Sequence, residues 1–308
     1  MSEPVRIVLG PTSSQGFVDA LEAIPDVASV TTGTMDTVGE LLTDADVLVS
    51  FRWSDEWIVP SLRWIQSISA GTDQFPLEAL DDAGVVLTSA VGIHAVQVSE
   101  HAFGLLLAMT RGLAPALRNE ADQHWEWTRV IDLDGMTLGV LGLGTIGEAV
   151  ARKAKAFGMD VIGTKRDPSV YDGVADEVFG ADDTLEVFRR ADAVVVTLPG
   201  GTETEGIVGA DEMAALEGGF IVNVGRGSVI DEDAIVEALR SETIRGAGLD
   251  VFEEEPLPTG HPLWSLPNAI VSPHLAGASP RYAERLAALF ERNLAAYRGD
   301  GDWVNRVV

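Results

Sequence analysis

Three polar residues stand just beyond three apolar runs in the second half of this 308-residue chain. Arg226 comes after Phe220-Ile221-Val222-Asn223-Val224, in N-V-G-R-G. Glu255 comes after Gly246-Ala247-Gly248-Leu249-Asp250-Val251, in L-D-V-F-E-E-E-P, and His274 comes after Ala269-Ile270-Val271, in S-P-H-L-A-G. Short apolar runs of this kind read as buried parallel strands, and open parallel sheets bind ligands outside the carboxyl ends of their strands. A cation, an acid and an imidazole at three successive strand ends would therefore converge on one bound ligand. Singly, each has a plainer reading: Arg226 as a surface arginine beside a glycine turn, Glu255 as one of three solvated acids, His274 as a cap.

The ligand is indicated by Gly139-Val140-Leu141-Gly142-Leu143-Gly144-Thr145-Ile146-Gly147, which follows a strand pattern and opens a helical stretch, Glu148 to Phe157. That is G-x-G-x-x-G in strand-turn-helix context, the dinucleotide fingerprint. Gly142 would permit the tight turn, Gly144 the close approach of a pyrophosphate and Gly147 the contact of helix with strand. The first helical residues, Thr145 and Ile146 among them, would offer amides to the phosphates. Arg226, Glu255 and His274 would then converge beside the nicotinamide. The next strand, Asp160-Val161-Ile162-Gly163, ends about twenty residues beyond the loop, where an NAD site carries an acid for the ribose hydroxyls. Here stand Thr164, Lys165 and Arg166. A carboxylate would repel a 2′-phosphate, whereas a hydroxyl and two cations would bind it, which favours NADP over NAD. Asp167 is the competing residue: it could pair with Arg166 or serve the ribose itself.

The elements that must position these residues alternate between strand-like and helical patterns, as in parallel α/β sheets. One strand series comprises Arg6–Leu9, Ala28–Thr31, Asp46–Ser50, Ile65–Ser69 and Val85–Leu87. An apolar helix runs from Ser99 to Leu113. A second series comprises Leu138–Leu141, Asp160–Gly163, Ala193–Leu198, Phe220–Val224, Gly246–Asp250 and Ala269–Val271, and an amphipathic helix from Pro280 to Tyr297 closes the chain. Two series imply two α/β units. Asp192 and Asp231 read as structural, at a strand start and a helix start, and His101 and His261 as a helix and a loop residue.

Composition narrows the partners. Forty-eight acids against 21 basic residues give a formal net charge of −27, and only three of the basic residues are lysines. Nucleic acid and anionic lipid both demand a basic face and are excluded. Self-repulsion at this charge opposes compactness, but at ~1 M salt the screening length falls to ~3 Å, so a salt-rich cytoplasm is the expected setting. Met1-Ser2-Glu3-Pro4 leads directly into a strand rather than a signal segment. The apolar stretch Ala102–Met109 is far short of the ~20 residues that cross a bilayer. With no cysteine, no H-E-x-x-H and no G-x-S-x-G elbow, neither a catalytic metal nor an acyl-enzyme is expected.

The segments G-L-G-T-I-G, L-P-G-G-T-E-T-E-G-I-V, N-V-G-R-G-S-V-I-D, G-L-D-V-F-E-E-E-P and S-P-H-L-A-G, in this order, resemble the D-isomer-specific 2-hydroxyacid dehydrogenase family, which includes glyoxylate/hydroxypyruvate reductases. The resemblance covers roughly residues 65 to 280. It implies two doubly wound parallel-sheet domains, with a Rossmann cofactor domain (98–279) inserted in a flavodoxin-like substrate domain (1–97 plus 280–308). The Ser99–Leu113 helix would serve as hinge and dimer arm of a homodimer. By the same resemblance Arg226 holds the substrate carboxylate, and His274 is the general acid that protonates the ketone while hydride arrives. Glu255 bonds His274, holding its tautomer and favouring the imidazolium. Asp250 accepts from the nicotinamide carboxamide. Ala70, Gly71 and Thr72, in S-I-S-A-G-T-D, match the loop whose amides receive the carboxylate. Leu198, Pro199, Thr204 and Val224 match cofactor positions, and Arg52 and Trp53 would line an outer pocket. The implied activity is NADPH-preferring reduction of a small 2-ketoacid to a D-2-hydroxy acid, with NAD also possible. A dinucleotide-sensing corepressor shares the motifs but carries partner-binding tails that are not evident here. Hydrolase chemistry of the S-adenosylhomocysteine type is disfavoured by length and by the Arg-Glu-His order.

Overall fold

The computed structural model describes residues 3–11, 15–72 and 74–308. The chain divides into two compact units, one formed by Met1–Ile93 with Ser279–Val308 and the other by His94–Ala278. The divisions fall four residues and one residue before those expected from the sequence.

In the first unit the elements are β1 (Val5–Leu9), α1 (Gln15–Glu22), β2 (Val27–Thr32), α2 (Val38–Leu41), β3 (Val47–Ser50), β4 (Trp64–Ser67), α3 (Leu77–Asp82) and β5 (Val86–Thr88). They form a parallel five-stranded sheet of order β2-β1-β3-β4-β5. This is the flavodoxin-like doubly wound order. Strands buried on both faces must be apolar throughout, and Val47, Leu48 and Val49 are all fully buried.

The second unit contains α4 (Ala95–Thr110), α5 (Leu113–Ala121), β6 (Thr137–Leu141), α6 (Thr145–Ala156), β7 (Asp160–Thr164), β8 (Glu177–Phe179), α7 (Thr184–Arg190) and β9 (Ala193–Val196). It continues with α8 (Ala210–Ala215), β10 (Phe220–Asn223), α9 (Glu232–Arg240), β11 (Gly246–Leu249) and β12 (Ala269–Val271). Its seven strands are parallel in the order β12-β11-β10-β9-β6-β7-β8. Numbered from β6, that is the Rossmann order with one further strand, and the order reverses between β6 and β9. Along β9, Val194 and Val196 enter the core on one face and Ala193 and Val195 the core on the other.

The last helix, α10 (Tyr282–Tyr297), returns to the first unit. There Leu286, Leu289, Phe290 and Leu294 pack on Ile7, Leu9, Val47, Val49 and Trp64. Phe290 stacks on Trp64 with ring centroids 4.6 Å apart. Buried Asn293 donates to Gln66 Oε1 at 3.0 Å and accepts from Val304 N at 2.8 Å. Trp64 Nε1 and Gln66 Oε1 both meet Thr88 Oγ1, at 2.9 Å each. A polar network without an unpaired member thus fixes a helix from the chain's end against strands from its beginning.

Some expected elements differ. The helix expected at Ser99–Leu113 begins four residues earlier and stops at Thr110, because Gly112 turns the chain at a φ of +66° before α5 starts. Strand β8 was not anticipated: three residues at a sheet edge, opening on an exposed glutamate, carry too little apolar pattern.

Candidate active site

The glycine loop lies between β6 and α6, beside the reversal in strand order. A Cβ on Gly147 would stand 2.2 Å from Gly142 O, so no other residue permits this contact of helix with loop. A Cβ on Gly144 would meet nothing within 4 Å, leaving the loop open on the side where a phosphate would approach. Thr145, Ile146 and Gly147 form the first turn of α6, where amides have no intrahelical acceptor. The loop borders a hollow of about 340 Å³ that brings together the expected Gly142, Gly144, Thr164, Lys165, Arg166, Leu198, Pro199 and Thr204. Pro199 O accepts from Thr204 Oγ1 at 2.7 Å. These features fit a dinucleotide. Val224 is buried at the end of β10, its amide bonded to Val196 O.

The 2′-phosphate candidates are individually engaged. Thr164 is buried, and its Oγ1 accepts from the Gly142 amide at 3.1 Å, which ties the end of β7 to the glycine loop. Lys165 Nζ donates to Leu143 O at 3.0 Å. Arg166 pairs with Glu203 at 3.0 Å. With Glu203 as the partner of Arg166, Asp167 caps a short turn. Ser169 donates to it through hydroxyl and amide and holds its carboxyl below the ordinary range. Glu203, in the quoted L-P-G-G-T-E-T-E, is a hollow-lining residue that sequence reading missed. Its motif was legible, but not its pairing across the hollow.

At the carboxyl ends of β10, β11 and β12 the three chemistry-bearing residues take their places. Gly227 makes the first of them possible: a Cβ there would lie 1.9 Å from the Phe252 carbonyl carbon and 2.5 Å from Glu253 N. The Arg226 loop therefore lies backbone to backbone against the segment leading to Glu255. Arg226 is exposed, with Nη1 donating to Gly225 O at 2.8 Å, and among the described residues no carboxylate pairs with it. His274 Nδ1 lies 2.7 Å from Glu255 Oε2, and Glu255 Oε1 accepts from the Phe252 amide at 3.1 Å. With Nδ1 bonded to a carboxylate, Nε2 is the nitrogen left for a ligand. The imidazole is about half exposed, at 52%. Phe252, Pro256, Leu257, Trp264, Val271 and Pro273 wall an apolar hollow of about 370 Å³ beside the pair.

Asp250 follows the end of β11. It is fully buried, its Oδ1 accepting from Ser272 Oγ at 2.5 Å and Leu275 N at 2.9 Å, and its Oδ2 from Ala276 N at 2.8 Å. The loop returning from β12 closes over the carboxylate, and His101 Nε2 of α4 lies 3.2 Å from its Oδ1. Ala70, Gly71 and Thr72 lie in the first unit after β4, where Gly71 O accepts from Ser69 Oγ at 2.5 Å. Arg52 is exposed, while Trp53 packs against Trp57 and Phe75, both at 5.9 Å, as part of that unit's core margin. Asp192 accepts from Thr137 N, and Asp231 caps α9 by accepting from Ala234 N. His124 lies by Glu126 and His261 by Glu232, while His94 is within 3.4 Å of Gln97. Among the described residues no group of three or more His, Asp or Glu could hold a metal, and no helix is long and apolar enough to cross a membrane.

Comparison with known proteins bears on this arrangement. Residues 103–276 match the D-isomer specific 2-hydroxyacid dehydrogenase, NAD binding domain. A D-3-phosphoglycerate dehydrogenase of Methanocaldococcus jannaschii is 36% identical over 92% of the chain, which spans only 55% of that relative's length. A glyoxylate/hydroxypyruvate reductase B of Pectobacterium carotovorum is 36% identical over 77% of this chain and 76% of its own. Among solved structures, the NADPH-dependent glyoxylate/hydroxypyruvate reductase of Sinorhizobium meliloti, in complex with citrate, superposes with a TM-score of 0.81 at 28% identity, covering 99% of this chain and 97% of that one. The chain belongs to the D-isomer specific 2-hydroxyacid dehydrogenase family.

Proposed function

We propose that this member of the family, an oxidoreductase working with a nicotinamide dinucleotide, reduces a small 2-ketoacid to the D-2-hydroxy acid with NADPH preferred over NADH. The reading is carried by one observation: the 2.7 Å bond between His274 and Glu255, beside a strand end that also presents Arg226. Glu255 fixes the hydrogen on Nδ1, so protonated His274 donates from Nε2 to the ketone oxygen, and neutral His274 accepts there in the reverse direction. When bound, the reduced dinucleotide supplies the hydride that makes the new C–H bond. Arg226 offers a planar fork to the substrate carboxylate. Ala70, Gly71 and Thr72 belong to the same proposal as a backbone-amide site for that carboxylate. The NADPH preference is supported by Lys165 and Arg166 at the end of β7 and by the NADPH-dependent relative of known structure.

The assembly proposed is a homodimer. Leu113 and Leu117 of α5 and the following Trp125 and Trp127 are exposed by 51%, 67%, 99% and 82%, an apolar surface that a second copy would cover. The acidic composition supports a salt-rich cytoplasm as the setting. The deciding experiment assays glyoxylate, hydroxypyruvate and pyruvate with both dinucleotides, for the parent protein and His274→Ala. Loss of a proton donor costs roughly 10²–10⁴-fold, so the variant retains dinucleotide binding and loses about that much kcat. A kcat indifferent to the substitution would refute the assignment.

A further inference from the structure

Behind His274 stands a second imidazole that the reaction as proposed does not use. His101, on α4, places Nε2 2.9 Å from Ser272 Oγ and 3.2 Å from Asp250 Oδ1. Ser272 Oγ donates its hydrogen to Asp250 Oδ1 at 2.5 Å, so towards His101 the hydroxyl can only accept. The hydrogen between them therefore belongs to His101 Nε2. Asp250 receives in addition the amides of Leu275 and Ala276 on its carboxylate, and that of His274 on its main-chain carbonyl at 2.9 Å. Three consecutive amides, those of residues 274 to 276, are thus tied to one buried aspartate, itself tied to α4 through His101.

This density of bonding meets a specific need. His274 has a φ of 52°, in the left-handed region that a residue with a Cβ adopts only when its surroundings impose it. Relaxation of that turn would swing the imidazole away from Glu255. We propose that His101 is a positioning residue for His274: with Ser272 it orients the Asp250 carboxylate, which holds the 274–276 backbone in the turn that aims Nδ1 at Glu255. This rests on His274 being the proton donor.

The test is steady-state reduction of glyoxylate, hydroxypyruvate and pyruvate with NADPH and NADH, using His101→Phe, His101→Gln, Ser272→Ala, His274→Asn and the double variant H101F/H274N. Misplacing a reacting group by a fraction of an ångström costs roughly tenfold, so kcat of His101→Phe falls by about that factor. Its dinucleotide KM stays within about twofold, because a group acting only on the chemical step leaves ground-state binding alone. The isotope effect with dinucleotide deuterated at the transferred position rises. The Gln variant, whose side-chain nitrogen can replace Nε2 as donor, recovers the rate, and Ser272→Ala reproduces the loss. On the H274N background His101→Phe adds nothing, since residues acting as a unit are not additive. Additive losses in the double variant, a Gln variant as slow as Phe, or an unchanged kcat would each overturn the proposal. His274→Asn at the parental rate would instead strike at the donor assignment itself. Should His101→Phe fail to fold, Ser272→Ala and His101→Gln carry the comparison without disturbing the packing of α4.

Discussion

Arg166 and Glu203 face each other across the mouth of the cofactor hollow, 87% and 78% exposed. An exposed pair of this kind contributes only about 0.2–1 kcal/mol, so a 2′-phosphate, with more charge and three acceptor oxygens, can take the guanidinium from the carboxylate. Glu203 then stands as a like charge beside the phosphate. Glu203→Gln should therefore lower the KM for NADPH by up to about fivefold, the equivalent of the upper end of that pair energy, and leave NADH unaffected. Arg166→Ala with Lys165→Asp should shift preference towards NADH. Steady-state kinetics with both dinucleotides measures each effect, and equal changes for NADPH and NADH would show that these side chains do not meet the 2′ position.

At the scale of elements, two long-range ties can be weighed. Asn293 of α10 satisfies Gln66 Oε1 and the Val304 amide, all buried or nearly so. Asn293→Ala strands the Val304 amide and leaves Gln66 Oε1 with Thr88 Oγ1 alone, and stranding a buried polar group costs about 1–3 kcal/mol, so the first unit should lose about that much in denaturant unfolding. A loss below about 0.5 kcal/mol would mean water replaces the amide. Asp176 ties β7 to α6: it accepts from Val161 N at 2.7 Å and from Lys155 Nζ, and the Lys155 bond above all holds its carboxyl below its ordinary value of 3.8. A depressed folded-state value means the stabilisation is complete above the unfolded value and fades as pH falls through the folded one. The stability gap between parent and Asp176→Asn should accordingly be widest near neutrality and close below pH 3.8. Thermal melts across pH would show it, and a gap independent of pH would assign the effect to packing.

For the whole molecule the dominant quantity is charge. With a formal net charge of −27, repulsion opposes the compact state in dilute buffer, and shortening the screening length from ~10 Å at 0.1 M to ~3 Å at 1 M removes most of it. The melting temperature should therefore rise steadily between dilute buffer and molar KCl, and activity should survive there. Unfolding at molar salt but not in dilute buffer would contradict a salt-adapted surface.

Strand runs such as Ala193–Val196, buried on both faces, were readable because a parallel strand between helices has no polar side to show. The glycine loop, Arg226, Glu255 and His274 were readable because each follows such a run, and Gly227 states its own necessity once the Phe252 backbone is seen beside it. Composition alone set the sign and size of the charge. Tertiary structure decided which way strand-end side chains turn. Nothing local marks Asp250 as sealed beneath the loop from β12, His101 as the donor behind it, or Arg166 as the partner of Glu203, 37 residues away. Residue type and local pattern are properties of neighbours along the chain, whereas burial and pairing depend on segments that meet only after β-strands far apart in sequence have been laid side by side.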